Sequence, residues 1–430
     1  MEDVYILNEK LEKIGVIDYY TSLIWASRYN EIGDCELYVQ ATKKTWELLK
    51  KEYYLLRLTS DMICRIEKIE LSTDVENGDY FIVTGYDVKK ILYQRIVWNT
   101  VAAHDTAERY IRRLIIENII APALQERKIE HFVLSAEKGF TESITEQCSY
   151  DVLGEKIESI CKTYEYGYKV LLKEENDNRY FAFELYKGVN RSYGGESIQP
   201  VIFSPEYENI SASNYIQDST LQGNVALVAG EGEGIQRKKG VFGSGEGLKR
   251  YEVFVDAREI SSEISYETLL QNYGTGTIVT ENDVVYFAAE NIFIWIITQQ
   301  QLLQLQQQYP QGIVIEENGM TYYHLQNEKI AVLDNAEQPQ NAYLLEFVYL
   351  PFLLIKGAEA LAEYGTVLSF EGNVDTTMTF LYQKDYFLGD IVTIENEYGI
   401  RADARIVEVI ETFDQNGYTV MPKFCYLEVI

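Results

Sequence analysis

Short segments rich in tyrosine, isoleucine and leucine recur near the start of the chain at intervals of roughly 8–12 residues, a spacing typical of small antiparallel sheets. Asn77-Gly78 stands between two of them, and both residues tolerate the positive φ angles of a tight hairpin turn. The predicted strands are residues 35–40, 53–58, 62–71 and 80–86. We therefore expect residues 34–99 to form a small antiparallel barrel or sandwich.

The same pattern returns at the end of the chain, where Asn416-Gly417 predicts another hairpin turn. A short helix over residues 357–364, ended by Gly365, is expected before the strands. The predicted strands are residues 367–370, 378–382, 391–394, 404–411 and 418–423. The chain is thus expected to begin and end with small antiparallel β domains.

An amphipathic helix is predicted after the first sheet. Asp105 and Glu108 have capping-box spacing, in which Asp105 accepts amide hydrogen bonds and Glu108 reaches back. Apolar residues then follow at helical spacing up to Ile119, and Pro122 marks the end. We expect this helix to pack on a sheet.

A second hairpin is predicted further along the chain. Residues 166–173 and 180–186 read as strands, and the polar residues 174–178 between them form the turn. Alternation of apolar and polar residues in the second strand indicates that one face is buried.

Residues 223–250 differ in composition, because eight glycines fall there and five basic residues outnumber three glutamates. We expect a flexible, locally basic loop, followed by a strand at residues 251–255. Its glycines invite a phosphate-binding interpretation, but Ile235 interrupts the dinucleotide-binding pattern and Glu246 stands where a P-loop has lysine. Nucleotide binding is therefore not expected.

Residues 272–345 are expected to form a compact inserted subdomain. Seven glutamines fall between positions 299 and 308, and leucines among them predict a helix: Leu302, Leu303 and Leu305. The apolar run at residues 284–298 is interrupted by Glu290 and Asn291 and is shorter than the roughly 20 residues of a spanning helix. We interpret that run as a buried strand pair or a core helix.

Composition limits the classes of partner. The chain carries 67 acidic and 38 basic residues, a formal net charge of −29. Such a surface repels phosphate, which argues against tight binding to a nucleic acid duplex through a basic face. Its 430 residues exceed the roughly 250–300 at which one core stops growing, so several packed subdomains are expected. The 35 tyrosines favour strands and interfaces.

The cysteines and the first residues favour a reducing cytosol. The chain starts with acidic residues where a secretory signal would be basic. The chain has five cysteines, an odd number, and no two of them have C-x-x-C spacing. Both observations argue against a disulfide framework and a thiolate zinc site. The cysteines are Cys35, Cys64, Cys148, Cys161 and Cys425.

No catalytic constellation emerges from the sequence. His104, His131 and His324 are the only histidines, and no two have a metal-binding spacing. His104 is expected to have a polar surface role. Among 67 acids, any chosen pair is uninformative, and solvated surface acids are the simpler interpretation. We therefore assign no catalytic, cofactor-binding or metal-binding residues and expect no enzyme activity.

A set of motifs spans nearly the whole chain, weakening between about 274 and 345. The motifs are residues 27–37 (SRYNEIGDCEL), 201–204 (VIFS), 208–211 (ENIS), 214–215 (NY), 224–234 (NVALVAGEGEG), 247–258 (GLKRYEVFVDAR), 385–392 (DYFLGDIV) and 404–409 (ARIVEV). In order and spacing they resemble a family of tail proteins from siphophages and prophages. That family is related to the baseplate hub or tail-tip proteins of tailed phages.

The resemblance implies a structural hub that forms a homotrimer at the end of the tail tube. Each subunit would contribute two tube-like β-barrel domains, so that three subunits give a pseudo-six-fold ring. The implied partners are tail tube or distal tail ring proteins, other tail-tip or baseplate proteins, and DNA that slides through an acidic channel without specific binding. The implied location is the virion tail, assembled in the host bacterial cytoplasm, with no cofactor and no membrane-spanning segment.

Some related tail-tip proteins carry a wall-degrading C-terminal domain. This chain stops at Ile430, directly after the last β segment, so that activity is not expected.

We predict a mainly β, minor α (α+β), multidomain fold of small antiparallel β-barrels of tail-tube type plus inserted α+β subdomains. The expected domains are a first tube-like β domain (1–100), a helical segment (101–165), a β subdomain with the Gly-rich loop (166–271), the insertion (272–345) and a C-terminal β domain (346–430).

Two other functions stay open. The first is a carbohydrate- or receptor-binding tail-tip module, for which the insertion is the expected place, because tyrosine-rich β surfaces can stack on sugars. The second is a cell-wall hydrolase, either a peptidase or a glycosidase. The missing His and Cys constellations disfavour it.

Overall fold

The computed structural model describes residues 2–73, 78–176, 178–195, 199–317, 320–364, 367–374, 379–399 and 401–429. Strands dominate these ranges and helices are fewer, so the predicted mainly β, minor α class is confirmed. The α-helices are α1 (Lys43–Leu48), α2 (Ala107–Ile115), α3 (Leu153–Thr163), α4 (Tyr266–Tyr273), α5 (Gln299–Gln308) and α6 (Glu346–Glu363).

The strands are numbered along the chain. They are β1 (Val4–Leu7), β2 (Lys13–Ile17), β3 (Ser22–Arg28), β4 (Asp34–Gln40), β5 (Tyr54–Leu56), β6 (Ile63–Ser72), β7 (Tyr80–Asp87), β8 (Val101–Thr106), β9 (Phe132–Leu134), β10 (Ser143–Cys148), β11 (Gly167–Glu175), β12 (Asn178–Tyr186), β13 (Ile202–Phe203), β14 (Ile210–Asp218), β15 (Val225–Ala229), β16 (Lys239–Gly243), β17 (Glu252–Asp256), β18 (Glu263–Ser265), β19 (Gly276–Glu281), β20 (Val284–Trp295), β21 (Ile313–Glu317), β22 (Met320–Leu333), β23 (Asn341–Leu344), β24 (Val367–Val374), β25 (Ile391–Glu395), β26 (Arg401–Asp414) and β27 (Gly417–Val429).

A sheet of thirteen strands, called the main sheet below, joins the two ends of the chain. Its order is β14-β24-β27-β26-β3-β4-β7-β6-β5-β1-β2, and β25 and β13 attach beside β26. The N-terminal and C-terminal strands meet where β3 pairs with β26. We predicted a small barrel at each end. Within the described residues the two ends instead share one sheet, whose strand order does not close on itself.

The N-terminal strands β4, β5, β6 and β7 lie where they were predicted. Alternate residues of β4 are buried, which is the period of two expected for a sheet with one covered face. Asn77 of the predicted turn lies outside the described residues, and Gly78 has the positive φ of 80° that such a turn needs. Buried side chains from these strands and from β1 to β3, including Trp25 of β3 and Phe81 of β7, form one hydrophobic core.

The predicted amphipathic helix is α2, but its cap is one residue later than expected. Asp105 belongs to β8, and Thr106 is the N-cap, since its hydroxyl accepts from the Arg109 amide at 3.3 Å. Glu108 does not reach back. Its carboxylate accepts amide hydrogen bonds from residues 138–140 at 2.6–2.9 Å. The helix packs with α3 and the predicted β11–β12 hairpin around a second core.

The segment at residues 223–250 is not the flexible loop that we predicted, because it contains β15 and β16. These strands pair with each other, and β15 also pairs with β17. The glycines allow the strands to lie against α6. A Cβ on Gly230 would stand 2.2 Å from the Tyr349 hydroxyl, and one on Gly240 would already touch α6 leucines at 3.4 Å.

Helix α6 starts earlier than the predicted residue 357. It begins at Glu346 and includes Pro351, although proline lacks the N–H of a regular helical hydrogen bond. Burial of its apolar face explains why the helix continues: Val348, Tyr349, Phe352 and Leu353 are buried in a third core.

The C-terminal strands agree with prediction except at residues 378–382. Residue 378 lies outside the described residues, and residues 379–382 form a bend with one isolated bridge at Tyr382. The predicted hairpin joins β26 to β27, with Asp414 opposite Gly417. Buried residues of these strands form a fourth core.

Residues 263–344 contain a six-stranded sheet with order β18-β23-β22-β20-β19 and β21 beside β22. The apolar run at residues 284–298 is largely one strand, β20, and neither a strand pair nor a helix. The glutamine tract forms the predicted helix α5. Its leucines differ in exposure, because Leu305 is buried and Leu303 is half exposed.

Candidate assembly surface

The main sheet has one buried face and one partly exposed face, called the open face below. In β4, Leu37 is buried while its neighbours Glu36 and Tyr38 are not. Directly opposed residues share a face, so the register defines rows of side chains across strands. One row consists of Lys68, Thr84, Glu36, Ile24 and Thr412. The open face therefore crosses from the N-terminal to the C-terminal strands without a break.

Four basic side chains on open-face positions each lie beside a carboxylate. Arg28 lies 2.6 Å from Asp34 and 2.7 Å from Glu408. The remaining pairs are Arg65–Glu52 at 3.4 Å, Lys68–Glu70 at 2.5 Å and Lys423–Glu408 at 2.9 Å. Because neighbouring acids offset their charge, these bases offer little attraction to phosphate groups.

Strands β2 and β14, at the two ends of the strand order, each pair on one side only within the described residues, as does the two-residue strand β13 beside β25. At one edge, β2 exposes 40% of Ile14 and 36% of Val16. At the other edge, β14 exposes 40% of Ile216. Unpaired N–H and C=O groups beside apolar side chains are a template for pairing with another chain. The two edges differ in sequence, so a contact between them would be head to tail.

Arg57 holds the N-terminal and C-terminal parts of the main sheet together. Its guanidinium donates to both oxygens of Glu411 at 2.9 and 3.0 Å and to Glu2 at 2.8 Å. It lies 5.3 Å from the Trp25 ring and 4.5 Å from the Phe413 ring, measured to the ring centroids. Since Arg57 precedes β6 and Glu411 lies in β26, the pair bridges residues far apart in the chain.

The electrostatics of this pair depend on its burial. The Arg57 side chain is 1% exposed and the Glu411 side chain 3%. Burial alone would lower the pKa of Arg57, but the hydrogen bonds and charges of Glu411 and Glu2 outweigh it and raise the pKa. Tyr418 also donates to Glu411 at 2.8 Å. The two charges therefore satisfy each other, and removing either would leave a buried ion without its partner.

A second buried ion cluster links the core around α2 and α3 with the core around α6. Lys156 of α3 lies 3.1 Å from Glu146 of β10 and 3.1 Å from Glu359 of α6. Burial and the charge of Glu359 raise the pKa of Glu146 to about 8. The two carboxylates raise the pKa of Lys156 against the opposite effect of burial, so the ammonium stays charged.

The three histidines lie in different elements of the chain. His104 lies in β8, and His131 is exposed just before β9. His324 stacks on Phe293 with 4.5 Å between ring centroids and lies 3.1 Å from Asn291. Within the part of the chain that the structure describes, no group of three or more His, Cys, Asp or Glu residues is arranged to hold a metal ion.

Side chains of the glycine-rich segment contact neighbouring parts of the fold. Glu231 accepts from the Ser262 amide at 2.8 Å, and the Arg237 guanidinium contacts Asp256. Four cysteines are buried thiols: Cys35, Cys64, Cys148 and Cys161. Over the described ranges, the helices include none with the length and apolarity needed to cross a membrane.

Arg57, Glu411 and Lys156 were not predicted from the sequence as important residues. For Glu411 a signal was present. Val409, Glu411 and Phe413 alternate along one strand, and a charge on an apolar face indicates a buried partner. The identity of that partner is not encoded locally.

Comparison with known proteins places the chain among tail proteins. The profile of the siphovirus ReqiPepy6 Gp37-like protein family matches residues 3–424. No protein of curated function matches.

Three solved structures of tail proteins align with this chain over nearly the full length of both chains. The tail protein from Neisseria meningitidis MC58 is 11% identical, with a TM-score of 0.46 and coverage of 100% of this chain and 98% of that one. The 43 kDa tail protein of prophage MuSo2 from Shewanella oneidensis is 9% identical, with a TM-score of 0.47 and 98% coverage of both. The prophage tail protein gp18 from Listeria monocytogenes EGD-e is 11% identical, with a TM-score of 0.43 and coverage of 99% and 94%.

The family match covers almost every residue, including the motifs on which the resemblance was based. The chain belongs to the siphovirus ReqiPepy6 Gp37-like family of phage tail proteins.

Proposed function

We propose that this protein is a structural hub at the distal end of a phage tail, where three copies form a ring that caps or extends the tail tube. The observation that carries the proposal is the main sheet, in which both ends of the chain form one surface whose edge strands β2 and β14 are unlike. A subunit with two different contact surfaces associates head to tail, and its copies form a closed ring when the rotation from one copy to the next closes on itself. Membership of a tail protein family supports the same location in the virion.

The edges of the main sheet are the proposed contacts between subunits. Edge β2 of one copy would lie beside edge β14 of the next, extending the sheet through main-chain hydrogen bonds. Edge β2 begins with Lys13 and edge β14 ends with exposed Asp218, so the edges offer charges of opposite sign.

We propose that the ring encloses an acidic channel through which DNA passes during ejection. The support is the net charge of −29, together with the pairing of the open-face bases with carboxylates. A wall of this charge repels the phosphate backbone and lets the duplex slide. The partners would then be the tail tube or distal ring proteins and other baseplate proteins, joined in the host cytoplasm.

We also propose that the protein has no enzymatic role. We further propose that residues near 100, 165, 271 and 345 mark the limits of the chain segments that build its subdomains. The enzyme proposal is tested by zymography on bacterial cell-wall material with the purified protein. A clearing zone that survives further purification would refute it.

Mass photometry of edge variants tests the ring. Ile14→Lys and Ile216→Lys place a charge on the two proposed contact edges, and each is expected to shift the population from trimer to monomer. Ile278→Lys is the matched control, because Ile278 is equally exposed at 40% but lies at the edge of the separate six-stranded sheet. A wild-type protein that stays monomeric, or an equal effect of all three substitutions, would refute these contacts.

A further inference from the structure

A groove of about 620 Å³ lies between α5 and the start of α6, and the hub function does not account for it. One side is the glutamine tract, and the other side is formed by residues 345–350. Its volume lies within the range of pockets that hold small ligands, which is roughly 300–1,000 Å³.

The amide side chains along this groove differ in their partners. Gln301 is buried and is used by the fold, since its oxygen accepts from the Ile297 amide at 2.8 Å and its nitrogen donates to the Trp295 carbonyl at 3.0 Å. Gln304, Gln307 and Gln308 are exposed, and their side chains make no hydrogen bond to the residues that the structure describes. Each of these amides can donate two hydrogen bonds and accept two.

Aromatic and backbone groups complete the groove. Tyr309 and Phe347 pack with ring centroids 4.9 Å apart, and both remain partly exposed in the lining. Helix α6 starts at Glu346 without a side-chain cap, and within its first turn the Val348 amide donates to the Leu345 carbonyl at 2.9 Å. The lining therefore combines neutral donors and acceptors with an apolar aromatic surface.

The charge of the groove decides which ligand fits. Glu346 is the one charged residue among the lining residues, in a protein of net charge −29. An anionic ligand would be repelled by the carboxylate and by the net charge of the protein. A cationic ligand would find a single carboxylate beside three neutral amides, which is a poor match for its charge. Hydroxyl groups both donate and accept, as amides do, and the C–H faces of sugar rings pack on aromatic rings.

We propose that the groove between α5 and α6 binds an uncharged oligosaccharide. Gln304 and Gln308, one helical turn apart on α5, hydrogen-bond the hydroxyls, and the Tyr309–Phe347 pair contacts the sugar faces. This binding is independent of ring formation, so its test does not depend on the hub function.

Isothermal titration calorimetry of the full chain tests the proposal with maltoheptaose, cellohexaose and chitohexaose as neutral probes. We expect at least one to bind with a Kd of about 1 mM or tighter. Gln304→Leu and Gln308→Leu are each expected to weaken that binding about tenfold, the loss of roughly one hydrogen bond. Gln306→Leu is the matched control, since Gln306 is an exposed glutamine of α5 outside the lining, and its affinity should equal wild type.

Three results would overturn the proposal. The first is no heat of binding with any neutral probe at about 10 mM. The second is tighter binding of a heparin hexasaccharide than of the neutral probes, which would indicate an anion site. The third is an equal loss of affinity in Gln306→Leu, which would place the ligand elsewhere. Circular dichroism of all variants shows whether α5 stays folded.

Discussion

Replacing Arg57 with methionine is expected to weaken the joint between the N-terminal and C-terminal strands. The substitution removes two hydrogen bonds to Glu411, at 2.9 and 3.0 Å, and leaves a carboxylate whose side chain is 3% exposed. Breaking one partner of a buried pair costs about 3–5 kcal/mol. Because Tyr418 still donates to Glu411, we expect a cost at the lower end of this range, about 3 kcal/mol. Such a cost corresponds to an equilibrium constant for opening of the sheet that is about 150-fold larger.

Hydrogen exchange measured by mass spectrometry gives the local opening of β3 and β26. In Arg57→Met we expect exchange in these strands to accelerate by about 150-fold, and exchange in β20 and β22 to stay unchanged. Lys68→Met is the control on the same sheet, because Lys68 and Glu70 are exposed and solvent screens such a pair, so it contributes little to stability. Acceleration below about tenfold in Arg57→Met, or acceleration spread evenly over all sheets, would refute the reasoning.

Three further outcomes are expected. Burial raises the pKa of Glu146 to about 8 in the folded protein. The stability that this protonated group contributes is full below about pH 4.5 and is lost as the pH rises to about 8, so the melting temperature should fall over that range. Glu146→Gln should make this fall of the melting temperature with pH smaller. Gly230→Ala should lower the melting temperature and the free energy of unfolding, the latter by about 1–3 kcal/mol, because the new Cβ would stand 2.2 Å from the Tyr349 hydroxyl. Gly194→Ala is the control and should leave the melting temperature unchanged, since a Cβ there meets open space. Thr106→Ala should lower the free energy of unfolding, measured by chemical denaturation, by about 1 kcal/mol, because Thr106 is the N-cap of α2. Asp105→Ala should lower it by less.

Local patterns predicted the elements whose structure depends on neighbouring residues. Strands β4 to β7 and the β11–β12 and β26–β27 hairpins follow from alternation and turn residues within a few positions. The tail protein family also followed from motifs in the sequence, whose order and spacing extend over nearly the whole chain.

Other features depend on contacts between distant residues. The pairing of β3 with β26 requires a register between residues 23–28 and 408–413, and neither strand specifies its partner. In the sequence, the glycines at residues 230 and 240 resemble those of a loop. In the fold they lie against α6, which leaves little room for a side chain at either position. Helix α6 was predicted too short, since burial of its apolar face outweighs the local effect of Pro351. Similarly, the residues next to Arg57 in the sequence do not indicate its role, because that role depends on hydrogen bonds to the distant Glu2 and Glu411.

Electron microscopy of the purified protein mixed with its tail tube protein tests the proposed hub most directly. We expect rings of three copies at the end of the tube, with the main sheet in the ring wall and both ends of each chain contributing strands to it. A protein that remains strictly monomeric at assembly concentrations and forms no ring beside the tube protein would contradict the account.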